Sequence, residues 1–413
     1  MKSLQFLFLM FFSALCFAQE EPIRFNSNFP GGAIGRIDLV SENNYRLYVD
    51  GQYNQYGRNR QPTWFYFRID GGKDRKITLA LTNFDGEYNN RKAQQRLVRD
   101  CPVCSTDNIH WEHIPAQWDE NTLALTFTVV PKADSVWIAY IPPYLPDRAD
   151  KVLEEANRSD RALVEVYGKS IKGNDLKMIT LTDPAIPDKD KKHIWIVSRL
   201  HSWESLTSWV GEGAIRFLID PKSEEAAGIC KKAIIRIILI GDPDGCDRGM
   251  IRFNLNGYDL NRSWPLIDLR SKASLRDRPE AWYLKKTLAA ANAVHPVDVV
   301  LNLHNHQTGF DLIETDGDGE DYLRWFRSFQ KKMEDPPYFK TSVKQRERIC
   351  KSREPKKFGS MDEIWSELGI RHVLVEYNIN RKEGTDYFLT EKDALQNGKK
   401  LIQAIFTSFE EEK

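Results

Sequence analysis

His201 and Glu204 stand three residues apart in SRLHSWESLTSW, directly after the apolar run IWIV. A neutral imidazole and a carboxylate at that spacing, projected from a loop beyond a strand, can converge on one Zn²⁺ and leave room for a third ligand and a water. Alone the pair is a weak signal, because the chain has eight histidines and many acids, and a satisfied loop histidine is at least as common. A third ligand is on offer in LNLHNHQTG, where His304 closes the strand DVVLNL and His306 follows it. A His-Glu-His set with one open position is the geometry of a catalytic zinc. Strand alternation sends residues 304 and 306 to the same side, so periodicity leaves both open as the ligand. The segment GDPDGCDRGMIRFNLNGYDLNRSW, residues 241–264, reads as one long loop after the strand IIRIILIG and carries Arg252, Asn261, Arg262 and Trp264. Arg262 with Asn261 offers a planar fork and an amide, suited to gripping a terminal carboxylate. Taken singly, such arginines are ordinary surface residues.

Two kinds of chain must hold these groups. Residues 22–147 carry short aromatic and β-branched runs (YRLYV, TWFYFRI, KITLALTNF, LALTFTVV, SVWIAYI) punctuated by Gly, Asn and Asp clusters. That pattern predicts an antiparallel β-sandwich. PPYLPDR ends the strands, and residues 155–410 alternate strands with helices. The helices fall over SLTSWVGEGAIRFLI, RPEAWYLKKTLAAANA and DALQNGKKLIQAIF, and the strands over HIWIVSRL, AIIRIILIG, DVVLNLHNH and HVLVEYN. This predicts an α/β domain with a central sheet flanked by helices on both faces, and chemistry at the C-terminal ends of its strands.

The 59 basic and 59 acidic residues cancel, which argues against nucleic acid or an anionic membrane as the main partner. At the N-terminus, MKSLQFLFLMFFSALCFAQ has a lysine, a short apolar run and a small residue at Ala18, the layout of a signal peptide over residues 1–18. The expectation is an exported protein, periplasmic or extracellular, with no stable membrane insertion after cleavage. Leu15 before Cys16 suits lipoprotein processing poorly. Export permits disulfides, and Cys101-Pro-Val-Cys104 is the expected loop staple.

HSWE, the DPDG loop continuing to DLNRSW, the strand end LHNH and the later strand carrying Glu376 occur in an order that resembles the zinc carboxypeptidases. WFYFRI, VEVYGKSIKGNDLKMITL and FGSMDEIWSELGIRHVLVEYN narrow the resemblance to the cytosolic carboxypeptidase branch, which trims glutamates from protein C-termini. By position the resemblance implies that His201, Glu204 and His304 bind one zinc per chain. It implies further that Arg252 polarises the scissile carbonyl, that Asn261 and Arg262 hold the substrate carboxylate, and that Glu376 is the general base. The implied substrate is a peptide or protein C-terminus.

The chain departs from that branch in having Ser202 and Trp203 where a Pro-Gly is usual, and Met361 where an arginine helps set acidic specificity. A segment with eight Lys or Arg, residues 340–357, is positioned to draw acidic tails in its place. A cell-wall peptide amidase or peptidase on the same fold is the rival reading. From another class, the rival is an inactive peptide- or carbohydrate-binding protein.

Overall fold

The computed structural model describes residues 22–93, 102–306, 312–317, 319–334, 349–350, 363–379 and 388–411. The N-terminal strands form two five-stranded sheets with their apolar faces together, plus a small four-stranded sheet. Period-2 patterning produces this packing. Along Ile77–Thr82 burial alternates strictly, and Ile77, Leu79 and Leu81 stand opposite Val129, Phe127 and Leu125 of the neighbouring strand. Phe67, Ile69 and Ile138 fill the same core from the other sheet. One pairing departs from the expected antiparallel pattern: Asn44–Tyr48 runs parallel to Ile77–Thr82.

The second part is built on an eight-stranded mixed sheet. Its middle strands, Ala233–Ile238, Lys192–Ser198, Val299–His306 and His372–Asn378, are parallel neighbours in that order. Lys192–Ser198 and Val299–His306 are buried almost throughout, as strands covered by helices on both faces must be. Asp175–Leu181 and Leu312–Asp316 pair antiparallel on either side.

The helix Ser205–Ile219 lies between the sheet and the C-terminal helix Glu391–Glu410. Two glycines let the helices touch backbone to backbone: a Cβ on Gly213 would meet Leu395 O at 1.9 Å, and one on Gly398 would meet Val210 O at 2.1 Å. Glu212, in the same helix, is fully buried and satisfied by a bidentate fork from Arg148 at 2.9 Å and by Arg216 Nε at 2.8 Å. A buried carboxylate needs such partners, because stripped of them it would be an uncompensated buried charge.

The two parts share one hydrophobic core and meet along the loops that carry the candidate site. Gly31 N donates to Asp247 O at 2.7 Å, Gln55 N to Gly257 O at 3.0 Å, and the Tyr140 and Trp203 rings lie 6.1 Å apart. Cys104 is a free thiol, and its expected partner Cys101 lies outside the described residues. The proposed signal peptide, Met361, and all of the basic segment but Ile349–Cys350 also lie outside them. No helix among the described residues is long and apolar enough to cross a membrane.

Candidate metal centre

The Lys192–Ser198 strand ends one residue before Arg199, whose φ of +60° turns the chain back over the sheet. The Arg199 guanidinium is buried and donates to Tyr144 O at 2.9 Å, to Ser202 O, and to Cys246 Sγ at 3.0 Å. Trp203 N donates to Ile251 O at 3.1 Å, and Ser202 Oγ to Asp242 Oδ2 at 3.1 Å. The two residues that depart from the Pro-Gly pattern are therefore structural: Trp203 packs toward the N-terminal domain and Ser202 ties the loop to the next strand end. Glu204 stands at the N-cap of the Ser205–Ile219 helix without using its side chain as a cap. Its carboxylate is left to face the histidines.

There the donors converge. His201 Nδ1 lies 2.8 Å from Glu204 Oε1, and His304 Nδ1 lies 2.7 Å from Glu204 Oε2. Donor atoms of His201, Glu204 and His304 fall within 4.8 Å of one another, and the three side chains are only 1–3% exposed. His304 sits inside the strand Val299–His306, near its C-terminal end. His306, half-buried, is not part of the cluster.

The set fits a metal on its own chemistry. His304 Nε2 is buried and makes no hydrogen bond, while Glu204 Oε2 has the His304 ring beside it at 2.7 Å, and a buried orphan such as Nε2 costs about 1–3 kcal/mol unless something satisfies it. Burial holds His304 below its ordinary pKa, so it stays a neutral imidazole. Burial also opposes ionisation of Glu204, but the flanking His304 and His201 outweigh it and bring the carboxyl down to about 2. A neutral imidazole such as His304 and an ionised carboxylate are ligands that a zinc ion takes.

Around this centre Asp259, which motif reading passed over, joins three parts. Its Oδ1 accepts from His201 Nε2 and from the backbone N of Arg262, both at 3.1 Å, and its Oδ2 accepts from Arg252 Nε at 2.7 Å. A carboxylate on the outer nitrogen of a ligating histidine sets its tautomer and orientation. Burial alone would raise the Asp259 pKa, yet Arg252 and His201 hold it well below the usual carboxylate range.

Glu376 stands in register with His304 on the adjacent parallel strand, so both project from one face of the sheet about 4.8 Å apart at the backbone. Burial lowers the Arg252 pKa, but Asp259, Glu204 and Glu376 more than offset this, so the guanidinium stays charged among the three carboxylates. Asn261 and Arg262 separate: Asn261 is buried with its Oδ1 accepting from Asn302 Nδ2 at 3.0 Å, whereas Arg262 is exposed. Arg252, Asp259 and Arg262 line a cavity of about 620 Å³ whose far wall, Asn54, Gln61 and Tyr88, belongs to the N-terminal domain. The expected long loop 241–264 is in part short helices, Pro243–Asp247, Leu260–Arg262 and Trp264–Leu266, capped by Asp242 and Asp259.

Residues 25–141 match the cytosolic carboxypeptidase N-terminal domain, and residues 150–400 match the zinc carboxypeptidase family. An uncharacterized protein of Zymomonas mobilis is 24% identical over 318 residues, 75% of this chain and 76% of that protein. Cytosolic carboxypeptidase 1 of Xenopus laevis is 26% identical over 334 residues, 70% of this chain but only 26% of that much longer protein. A metallo-carboxypeptidase from Burkholderia cenocepacia, 21% identical, has the same fold, with a TM-score of 0.78 over 95% of this chain and 100% of that one. With more than half its length matched, the chain belongs to the zinc carboxypeptidase family of metal-dependent hydrolases, with a cytosolic carboxypeptidase N-terminal domain ahead of the catalytic one.

Proposed function

We propose that this protein is a metallocarboxypeptidase that removes residues from the free C-termini of peptides or proteins, using one zinc held by His201, Glu204 and His304. The observation that carries this reading is the buried His-Glu-His cluster with Glu376 in register beside His304. When bound there, zinc supplies the Lewis acidity that polarises a scissile carbonyl and brings the pKa of a water toward neutrality. Glu376 takes the proton of the attacking water on its carboxylate and passes it to the nitrogen of the leaving residue. Arg252 faces the oxygen on which negative charge develops, a contribution that grows only in the transition state. The Arg262 fork, with Asn261 behind it, holds the terminal carboxylate and so limits attack to the last peptide bond. A preference for acidic C-termini rests on the basic 340–357 segment making up for Met361. We place the mature enzyme outside the cytoplasm, after loss of residues 1–18.

The test is a library of free-acid and amidated peptides, digested with the zinc-loaded protein and read by mass spectrometry. Stepwise loss of C-terminal residues from free-acid peptides, abolished together with zinc content by His304→Ala, is the expected result. Internal cleavage or release of cell-wall stem amides would favour the amidase reading, and no turnover with zinc bound would favour the binding protein.

A further inference from the structure

Gln52 opens the short strand Gln52–Tyr53 of the N-terminal domain and is 7% exposed. Its side chain makes four hydrogen bonds, all to one stretch of the catalytic domain about two hundred residues away. Oε1 accepts from the backbone N of Ile251 at 2.9 Å, Arg252 at 2.7 Å and Phe253 at 2.9 Å, and Nε2 donates to Phe253 O at 2.5 Å. Three donors on one atom and a carbonyl on the other allow only one orientation of the amide. The central residue of the gripped stretch is Arg252.

The grip is itself held. Gly51 takes a φ of +71°, and a Cβ there would meet Arg60 Nη2 at 2.8 Å. Arg60 is buried and donates to Val49 O at 3.1 Å, Asp50 O at 2.9 Å, Asn83 O at 3.1 Å and Asp85 O. The turn that presents Gln52 is thus fixed from below by a guanidinium. On the catalytic side, Ile251 O accepts from Trp203 N in the metal loop, and Arg252 Nε reaches Asp259, which reaches His201. The backbone of Arg252 is pinned by one domain and its guanidinium by the other.

We propose that Gln52 is a positioning residue for the peptidase reaction: through it the N-terminal domain sets where the Arg252 guanidinium stands relative to the developing oxyanion. This rests on the reading of Arg252 given above. Electrostatic stabilisation depends on donors already aimed at the charge before it forms. Loss of Gln52 takes the acceptor from three N–H groups, those of Ile251 and Phe253 buried, and frees the backbone beneath the arginine, while the zinc ligands and Glu376 keep their own supports. The N-terminal domain is on this account part of the active site.

A double-mutant cycle on the full-length, zinc-loaded protein decides it. Arg252→Ala is expected to lower kcat on a free-acid peptide by about 10²–10³. Gln52→Ala should lower kcat about tenfold or more with KM nearly unchanged and zinc content intact. Added to Arg252→Ala, it should change kcat by less than about twofold, because both act through one group. Hydrogen exchange at residues 251–253 should accelerate in Gln52→Ala. Gln52→Glu, which keeps the acceptor for the three N–H groups, should recover most of the rate, and Gln52→Asn, whose amide is one methylene too short to reach them, replaces Gln52→Ala in the cycle if that variant does not fold. Multiplying losses in the double variant, or a Gln52→Ala enzyme with unchanged kcat, overturns the proposal while leaving the carboxypeptidase reading in place. An unchanged kcat in Arg252→Ala overturns both the role of Arg252 and the proposal built on it, whereas the exchange data report separately whether Gln52 holds the backbone.

Discussion

Replacing Asp259 by Asn keeps the shape of the side chain and removes its charge. Asn is a good N-cap, so its single oxygen can still accept from Arg262 N and His201 Nε2 where Asp259 Oδ1 now does. The oxygen now 2.7 Å from Arg252 Nε becomes an NH₂ group, and a donor then faces a donor. One charge-assisted bond is lost, about 1.5–3 kcal/mol, which corresponds to a factor of roughly 10–150 at about 1.4 kcal/mol per decade. Expressed at Arg252, this appears as a fall of that size in kcat/KM at saturating zinc. Separately, a neutral amide behind His201 makes the imidazole a poorer ligand, and zinc affinity should fall about 10–100-fold, as for other partners of ligating histidines. Metal-buffered titration gives the zinc Kd, and initial rates on a free-acid peptide with zinc in excess give kcat/KM. A Kd within about twofold of wild type together with an unchanged kcat/KM would refute the claim that this carboxylate organises both groups.

Three further outcomes follow from the same geometry. Glu376→Gln should retain zinc and bind peptide with unchanged Kd, yet lose about 10²–10⁴ in kcat, since an amide cannot accept the proton; single-turnover rates with parallel elemental analysis check this. Arg262→Ala should lose about 1.5–3 kcal/mol of preference for free-acid over amidated C-termini, read as the ratio of the two kcat/KM values. Asp242 is pushed up from 3.8 to about 8, first by burial and next by the charge of Glu280, with Asp244 adding to it and hydrogen bonds from Gly245 N and Ser202 Oγ opposing it. Its neutral form is the one favoured by folding, so this contribution is complete below the unfolded pKa and is lost as pH rises toward about 8. Thermal unfolding should therefore show wild-type Tm falling between those limits and Asp242→Asn flattening the profile; parallel profiles for the two proteins would contradict the assignment.

Local physics wrote much of this protein into its sequence. Strict alternation in ITLALT and unbroken apolar runs in HIWIVS and VVLNL mark strands exposed on one face and on none. The three-residue spacing of His201 and Glu204, just past such a strand, marked half of the metal centre, and the order of motifs marked its family. What the alternation could not do was choose between His304 and His306, because both point the same way. The folded chain brings the His304 ring against Glu204 and leaves His306 outside the cluster, with His304 in register beside Glu376. Asp259 and Gln52 were illegible for a different reason. A carboxylate or amide has no pattern of its own, and its role depends on which backbone or imidazole the folded chain brings within 3 Å or so of it. Gln52 meets Arg252 across 200 residues of sequence, a contact that exists only because two independently patterned domains pack at one edge. Periodicity is a property of neighbours along the chain, and partnership at a site is a property of neighbours in space.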